Sequence, residues 1–328
     1  MPAPSPAVPP PVGIRAVPPE QWPGLATFIH RHNRRGDGTE RCLHAGQGDT
    51  VEQHAHELAA LAADEAAFWQ AGLGPAREPQ ALIGCEMDAA LSRAWLRGPL
   101  WAGDAPPPPG LLESLLQALA AGLPAIRCLD AFPAEDEPVL NALYERSGFR
   151  RLGVHRVMEA ALAPVPAPAG PSADQPLRLQ PPARIRRAEA ADLPALLALH
   201  ECLFPNGYLK PGDMADALQH PGRRVLAGLD ADQRLVGYLH AKDEPEPPEV
   251  YIDYLGVAAD ARGRGVGQAL LAEALAWGRA LGRPRASLTV REDRSSALSL
   301  YERSGFRQVS AGVHWRLERD TPAPTRTA

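Results

Sequence analysis

The sequence predicts an α/β protein of two related halves, each a mixed, mostly antiparallel sheet flanked by helices, and three observations carry that prediction. The octapeptide LYERSGFR occurs twice, at Leu143–Arg150 and Leu300–Arg307, 157 residues apart in a chain of 328. The stretch between the halves, APVPAPAGPSADQP, neither alternates like a strand nor carries a helical stripe, and its prolines mark a stiff linker. The elements before each octapeptide follow in the same order, so the chain reads as a duplication that has diverged. The division expected is a first domain at 1–165, a linker at 166–177, a second domain at 178–320 and a flexible tail at 321–328.

In the second half, ARIRRA at 183–188 suits a first strand, and ADLPALLALHECLF at 191–204 has the three- and four-residue apolar spacing of a helix. GDMADALQH reads as a short helix. RRVLAGL and LVGYLHA read as paired strands, and VYIDYLGVA, rich in branched and aromatic residues, as a long one. GVGQALLAEALAWGRALG at 265–282 is a helix closed by glycine and proline. RASLTV then makes a strand, SSALSLYERSG a helix, and FRQVSAGVHWRLE a closing pair of strands.

The first half begins with the strand GIRAV and helices around Gln21–His32 and Val51–Trp69, before strands ALIGCEM and AWLRGPLWA. LLESLLQALAAG, IRCLDAF and VLNALYERSGF then match the closing elements of the second half.

Hydrophobic residues are 45% of the chain and charged residues 22%, as in globular proteins and unlike disordered ones. The formal charge of -5 gives no general attraction for nucleic acid or an anionic membrane. Four widely spaced cysteines without a CxxC pair suggest neither a disulfide framework nor a zinc site. His44, His54 and His56 lack a metal-binding spacing, so no metal is expected. The amino terminus lacks a signal-peptide pattern, and no stretch reaches the ~20 apolar residues of a membrane span, so a cytoplasmic location is expected.

Arg262-Gly263-Arg264-Gly265-Val266-Gly267 places three glycines where the long strand turns into a helix. Amides at such a start are unpaired and partly positive, so they suit a pyrophosphate, with arginine adding charge. The run is no P-loop, since no Gly-Lys-Ser/Thr follows, and its GxGxG spacing is not the dinucleotide GxGxxG.

RGRGVG after a long strand, followed by a helix, a strand and LYERSGF, resembles the GNAT acyltransferases over residues 183–318. The resemblance implies tandem GNAT-like domains and an N-acetyltransferase that passes acetyl from acetyl-CoA to a primary amine by direct attack on the thioester. Arg262, Gly265 and Gly267 match the family's Arg/Gln-x-x-Gly-x-Gly/Ala loop, and Gly263, Arg264, Val266 and Gln268 lie in the same turn. The backbone of Leu255, Gly256 and Val257 would pair with the pantetheine arm between two splayed strands starting at Tyr251 and Arg285. Tyr301 matches the tyrosine that serves the departing thiolate, a role that calls for a donor beside sulfur. The family often has Asn seven residues before that tyrosine; here Arg294 stands there, followed by Ser295 and Ser296, the latter taken as a cofactor contact.

The amine must also lose a proton, and Glu249, Asp253 and His240 are candidate bases, with His240 placed among acceptor contacts. Alternation puts Glu249, Tyr251, Asp253 and Leu255 on one face of the strand, Ile252 and Tyr254 on the other. His200 on the first helix and Tyr208 in FPNGYLKPGDM complete the acceptor candidates. The acceptor expected is a small-molecule amine or a peptide, and the protein a monomer with pseudo-dimeric halves or a homodimer. The two-lobed arrangement resembles mycothiol synthases in architecture. The other readings are an N-acyltransferase for a longer acyl-CoA and an inactive CoA-responsive binding or scaffold protein, which Arg294 favours.

At the 157-residue offset, Ala105, Pro108 and Gly110 stand opposite Arg262, Gly265 and Gly267. Proline has no amide proton, so the PPPP run predicts a first half without the cofactor grip and a structural Tyr144.

Overall fold

The computed structural model describes residues 13–37, 39–43, 50–63, 67–74, 78–108, 110–162, 184–205, 207–245 and 247–319. The linker expected at 166–177, the tail at 321–328 and His44 lie outside the described residues.

In chain order the first half supplies β1 (Gly13–Ala16), a 3₁₀ turn (Pro19–Leu25), α1 (Ala26–Asn33), α2 (Val51–Ala63), β2 (Ala67–Leu73) and β3 (Pro79–Asp88). β4 (Arg93–Trp101), α3 (Leu111–Ala121), β5 (Cys128–Ala131), α4 (Pro138–Arg146) and β6 (Arg150–Ala161) follow. The second half supplies β7 (Arg184–Arg187), α5 (Leu193–Leu203), α6 (Pro211–Gln219), β8 (Arg223–Leu229), β9 (Leu235–Pro245) and β10 (Pro248–Val257). It ends with α7 (Val266–Ala280), β11 (Arg285–Arg291), α8 (Ser295–Arg303) and β12 (Arg307–Glu318).

Two elements differ from the sequence expectation. The helix expected over Val51–Trp69 stops at Ala63, and Ala67–Leu73 is a strand held between β1 and β3, with Trp69 fully buried. An apolar, alanine-rich run does not separate helix from strand by periodicity, and the pairing decides. The expected closing pair of strands is one continuous strand, β12.

The chain forms two compact units, one of Met1–His155 with Ser310–Ala328, the other of Arg156–Val309. The division therefore falls inside β6 and β12 and not in the proline-rich stretch, and each unit is closed by a strand from the other half of the sequence. The first unit orders its strands β1-β2-β3-β4-β5-β12, the second β6-β11-β10-β9-β8-β7.

In the first unit, fully buried Asp130 on β5 accepts hydrogen bonds from His314 (2.6 Å) and Arg316 (2.8 Å) of β12 and from Arg93 of β4. Burial pushes its carboxyl up, but these donors win and hold it well below the usual carboxylate range. Trp315 donates to Asn141 at 2.8 Å. In the second unit the end of β6 docks beside β11, with the Leu162 amide donating to the Pro284 carbonyl at 2.8 Å.

Alternate residues of the second sheet face two cores. Leu270, Leu271 and Ala274 of α7 cluster with Leu239, Val250, Ile252 and Leu288. Leu196 of α5 and Met214 of α6 cluster with Val225, Ala227, Tyr238 and Tyr254. Among the described residues no helix is long and apolar enough to cross a membrane.

Candidate active site

The glycine run does what its composition requires. Gly263 (φ +73°) and Gly265 (φ +81°) adopt left-handed backbone that a side chain disfavours, and Gly265 is the N-cap of α7. The first intrahelical bond runs from the Ala269 amide to the Gly265 carbonyl at 2.9 Å. The amides of Val266, Gly267 and Gln268 thus have no acceptor within the helix. A Cβ on Gly267 would come within 3.3 Å of Leu300 and 3.6 Å of Val257, so glycine keeps α7 close to α8 and β10. Arg262 is exposed and donates through Nε to the Val257 carbonyl at 3.2 Å, while Arg264 is exposed beside it.

β10 and β11 run parallel from Glu249/Arg285 to Ile252/Leu288, and β10 then continues alongside β9 to Val257. The expected splay is therefore present, although β10 starts at Pro248 and not at Tyr251. Leu255, Gly256 and Val257 line its open side. Any side chain on Gly256 would strike Leu203, 2.6 Å away, and Phe204. Tyr301, on α8, is buried with its ring 5.8 Å from that of Phe306. Burial, with Tyr251 nearby, pushes its hydroxyl up to about 12. Ser296 is exposed at the start of α8.

The acceptor face depends on an irregularity that sequence alternation does not reveal. Ile252 pairs with Ala241 but Tyr254 with His240, so Asp253 is a bulged residue. The extra residue inverts the facing after Ile252. Val250 and Ile252 face the α7 core, where Leu255 and Val257 join them, whereas Tyr254 faces the α5–α6 core. The expected grouping of Leu255 with Tyr251, and of Tyr254 with Ile252, is corrected accordingly.

Asp253 is fully enclosed. Its Oδ1 accepts from the Tyr208 hydroxyl, and its Oδ2 lies 2.8 Å from Lys242 Nζ and 3.3 Å from His240 Nδ1. Burial pushes the carboxyl up, but the His240, Lys242 and Tyr208 contacts prevail and hold it at about 2. Among the described residues neither ring nitrogen of the buried His240 has a hydrogen-bond partner. Tyr208 leaves 45% of its surface exposed, its ring beside Tyr254 (centroids 5.4 Å).

The remaining acceptor candidates are otherwise engaged. Glu249 accepts from Arg285 at 2.8 Å. His200 is buried, shares a 2.6 Å hydrogen bond with the Tyr238 hydroxyl and packs edge-on against Tyr254; burial lowers its pKa. Sequence reasoning missed Lys242, although it stands two residues from His240 on one strand and is one of only two lysines among 34 basic residues.

The first unit answers differently at each matching place. Gly110 (φ +85°) caps α3 in the same left-handed conformation as Gly265, and the Ser114 amide donates to its carbonyl at 3.0 Å. Gly110 is thus the counterpart of Gly265 and not of Gly267, a correction to the expected offset. Its first turn carries a carboxylate, Glu113. Burial raises the Glu113 carboxyl, but Arg146 at 3.0 Å and the amides of Glu113 and Gly110 lower it further. Arg41 lies over Trp101, 4.0 Å from the ring centroid, in a buried ion pair with Glu137 at 3.1 Å. Tyr144 is fully buried, and its hydroxyl donates to the Gly98 carbonyl of β4. His54, from the histidine set, packs against His30 with centroids 5.5 Å apart, and no metal-binding group occurs among the described residues.

This fold and this helix start define a class, and comparison with known proteins agrees. Residues 193–306 match the model of the Acetyltransferase (GNAT) family. The chain is 32% identical over 217 residues to mycothiol acetyltransferase of Clavibacter michiganensis subsp. michiganensis. That alignment takes in 63% of this chain and just under two thirds, 66%, of the relative's length. It is 26% identical over 236 residues to the mycothiol acetyltransferase of a Nocardioides species, covering 64% and 75%. A GCN5-related N-acetyltransferase from Sphaerobacter thermophilus superposes with a TM-score of 0.68 at 20% identity over 96% of this chain and 98% of that one. A tandem GNAT protein from the clavulanic acid biosynthesis pathway gives 0.59 at 14% identity over 95% and 100%, a likeness of fold. Residues 193–306 thus match the GNAT family, and the chain shares the tandem fold of these structures.

Proposed function

We propose that this chain is an acetyl-CoA-dependent N-acetyltransferase in which the unit of Arg156–Val309 acetylates a primary amine and the other unit binds no cosubstrate. The observation that carries the reading is the glycine-started α7, with three amides that have no acceptor within the helix, next to two parting parallel strands whose core also holds Tyr301.

These residues fit acetyl-CoA. The amides of Val266, Gly267 and Gln268, with Arg262 and Arg264, suit its pyrophosphate, and the open edge at Leu255–Val257 suits its amide-bearing arm. When bound, it supplies an acetyl thioester as the electrophile. Tyr301, kept protonated by burial, donates a hydrogen bond toward the departing sulfur. Asp253, held ionised, attracts the acceptor's ammonium group but is too weak a base to deprotonate it. The imidazole of His240, with Nδ1 3.3 Å from that carboxylate, acts as the base. The acceptor reaches this pair by displacing the Tyr208 hydroxyl.

The relatives' name makes mycothiol without its acetyl group the first acceptor to assay, ahead of other small amines and peptides. A calorimetric titration of the full chain with acetyl-CoA tests the cosubstrate reading. One site per chain, with CoA released when an amine is added, is expected; no binding, or two sites, overturns it.

A further inference from the structure

We propose that Lys242 is a positioning residue for the acceptor side of this reaction, holding Asp253 so that one carboxylate oxygen faces His240 and the other Tyr208. The proposal rests on the acetyltransferase reading above and adds a residue to it.

Three side chains converge on Asp253 from two directions. Lys242 Nζ, 2.8 Å away, and His240 Nδ1, 3.3 Å away, share Oδ2, while the Tyr208 hydroxyl takes Oδ1. The carboxylate is fully enclosed, and an enclosed charge persists only when it is paired. Lys242 remains 26% exposed, so its ammonium keeps water on one side while neutralising Asp253 on the other.

Sheet stability does not account for Lys242. It lies opposite Arg223 in the β8–β9 register, where like charges repel. Nor is it an ordinary choice for this chain, which has two lysines among 34 basic residues. The two cations differ in what they do to a carboxylate. Arginine presents a planar fork that engages both oxygens, whereas an ammonium is a point charge that can hold one. Lysine thus leaves Oδ1 for Tyr208, the group the acceptor must displace.

The other groups facing this carboxylate are Tyr251 and Tyr254 from β10, Tyr238 from β9 and His200 from α5. Burial raises the three tyrosines, which stay neutral, and lowers His200. Lys242 is therefore the cation in contact with Asp253 whose loss should move its titration.

The experiment uses the full chain with Lys242→Met and Lys242→Arg. Carbon-13 NMR of aspartate-labelled, acceptor-free protein follows Asp253, with Asp253→Asn identifying its signal. Acceptor-dependent CoA release is measured from pH 5 to 9 with deacetylated mycothiol as the probe. In Lys242→Met the Asp253 midpoint should rise by about one pH unit or more. The kcat/KM at pH 7 should fall ~30-fold, with acetyl-CoA affinity within about twofold as the check on folding. Lys242→Arg should restore the midpoint yet leave acceptor KM raised, because the fork competes with Tyr208. An unmoved Asp253 midpoint in Lys242→Met overturns the proposal whether or not the probe is turned over. Wild-type protein that releases no CoA with any amine overturns the acetyltransferase reading instead, and the two failures are read separately.

Discussion

At Gly110 and at Gly265 the backbone makes the same left-handed turn into a helix, yet the two helix starts present opposite surfaces. α7 offers three amides beside exposed arginines. α3 has Glu113 in its first turn, paired with Arg146, and prolines where a donor is needed before it. The same contrast runs through the repeated tyrosines. Tyr144 gives its hydroxyl to the Gly98 carbonyl of its own sheet, whereas Tyr301 clusters with Ile252 and Leu288, where the parallel pairing ends. The difference teaches that backbone shape outlasts chemistry in a duplicated fold: the turn and the buried aromatic survive for packing, and a few side chains decide whether an anion can settle.

The largest expected effect on binding breaks the contrast at the helix starts. Gly265→Val, at φ +81°, should weaken acetyl-CoA binding at least ~100-fold, about 2.7 kcal/mol, in calorimetry on protein that still melts cooperatively. Gly110→Val should leave that affinity unchanged and cost only ~1–2 kcal/mol of stability from the left-handed strain. Equal losses of affinity would mean that both helix starts are live.

The tyrosines give the next test. Tyr301→Phe should lower kcat ~100-fold with acetyl-CoA affinity within about twofold. Tyr144→Phe should leave turnover intact and cost ~1–3 kcal/mol in denaturant unfolding, since the buried Gly98 carbonyl loses its donor. Turnover that survives Tyr301→Phe sinks the donor assignment.

Asp130 sharpens the comparison through pH. Its folded pKa lies below the unfolded value, so its contribution to stability is complete above about pH 4 and is lost as pH falls through the folded value. Asp130→Asn leaves Arg93 and Arg316 facing a neutral group and should cost ~3–5 kcal/mol at pH 7, flattening the acid limb of the stability profile. A melting profile unchanged below pH 5 would argue against Asp130 as the fastening of β12.

The smallest effect concerns the last helix of each half. Glu137 caps α4 by accepting from the Val139 amide at 3.3 Å, while Arg294 at the same place on α8 makes no side-chain cap bond. Arg294→Asn should therefore stabilise the protein by ~0.5–1 kcal/mol, read as a rise in Tm. A fall would show that Arg294 serves another contact.

Most of the second unit was legible because its elements carry local signals: α7 between glycines and proline, the branched run of β10, the glycine-rich turn, and the octapeptide ending in a C-cap. β2 was not, because an apolar run after a helix extends that helix equally well until β1 and β3 claim its backbone. The bulge at Asp253 was hidden for a similar reason. A bulge is a property of two strands in register, and it reversed the facing of Tyr254 and Leu255.

The sequence by itself determined the duplication, the α/β class, the anion-ready turn of Gly263–Gly267 and the loss of amides at Pro106–Pro108, because each follows from local backbone chemistry. Only the tertiary structure decided which half each closing strand serves. β6 and β12 both follow LYERSGFR and carry equivalent local patterns, so the choice falls to distant partners: Asp130 for His314 and Arg316, and the Pro284 carbonyl for the Leu162 amide. It also decided that Lys242, His240 and Tyr208 meet at Asp253, since side chains from a loop and one strand converge on a buried carboxylate of the next strand only once the sheet has formed and water has left.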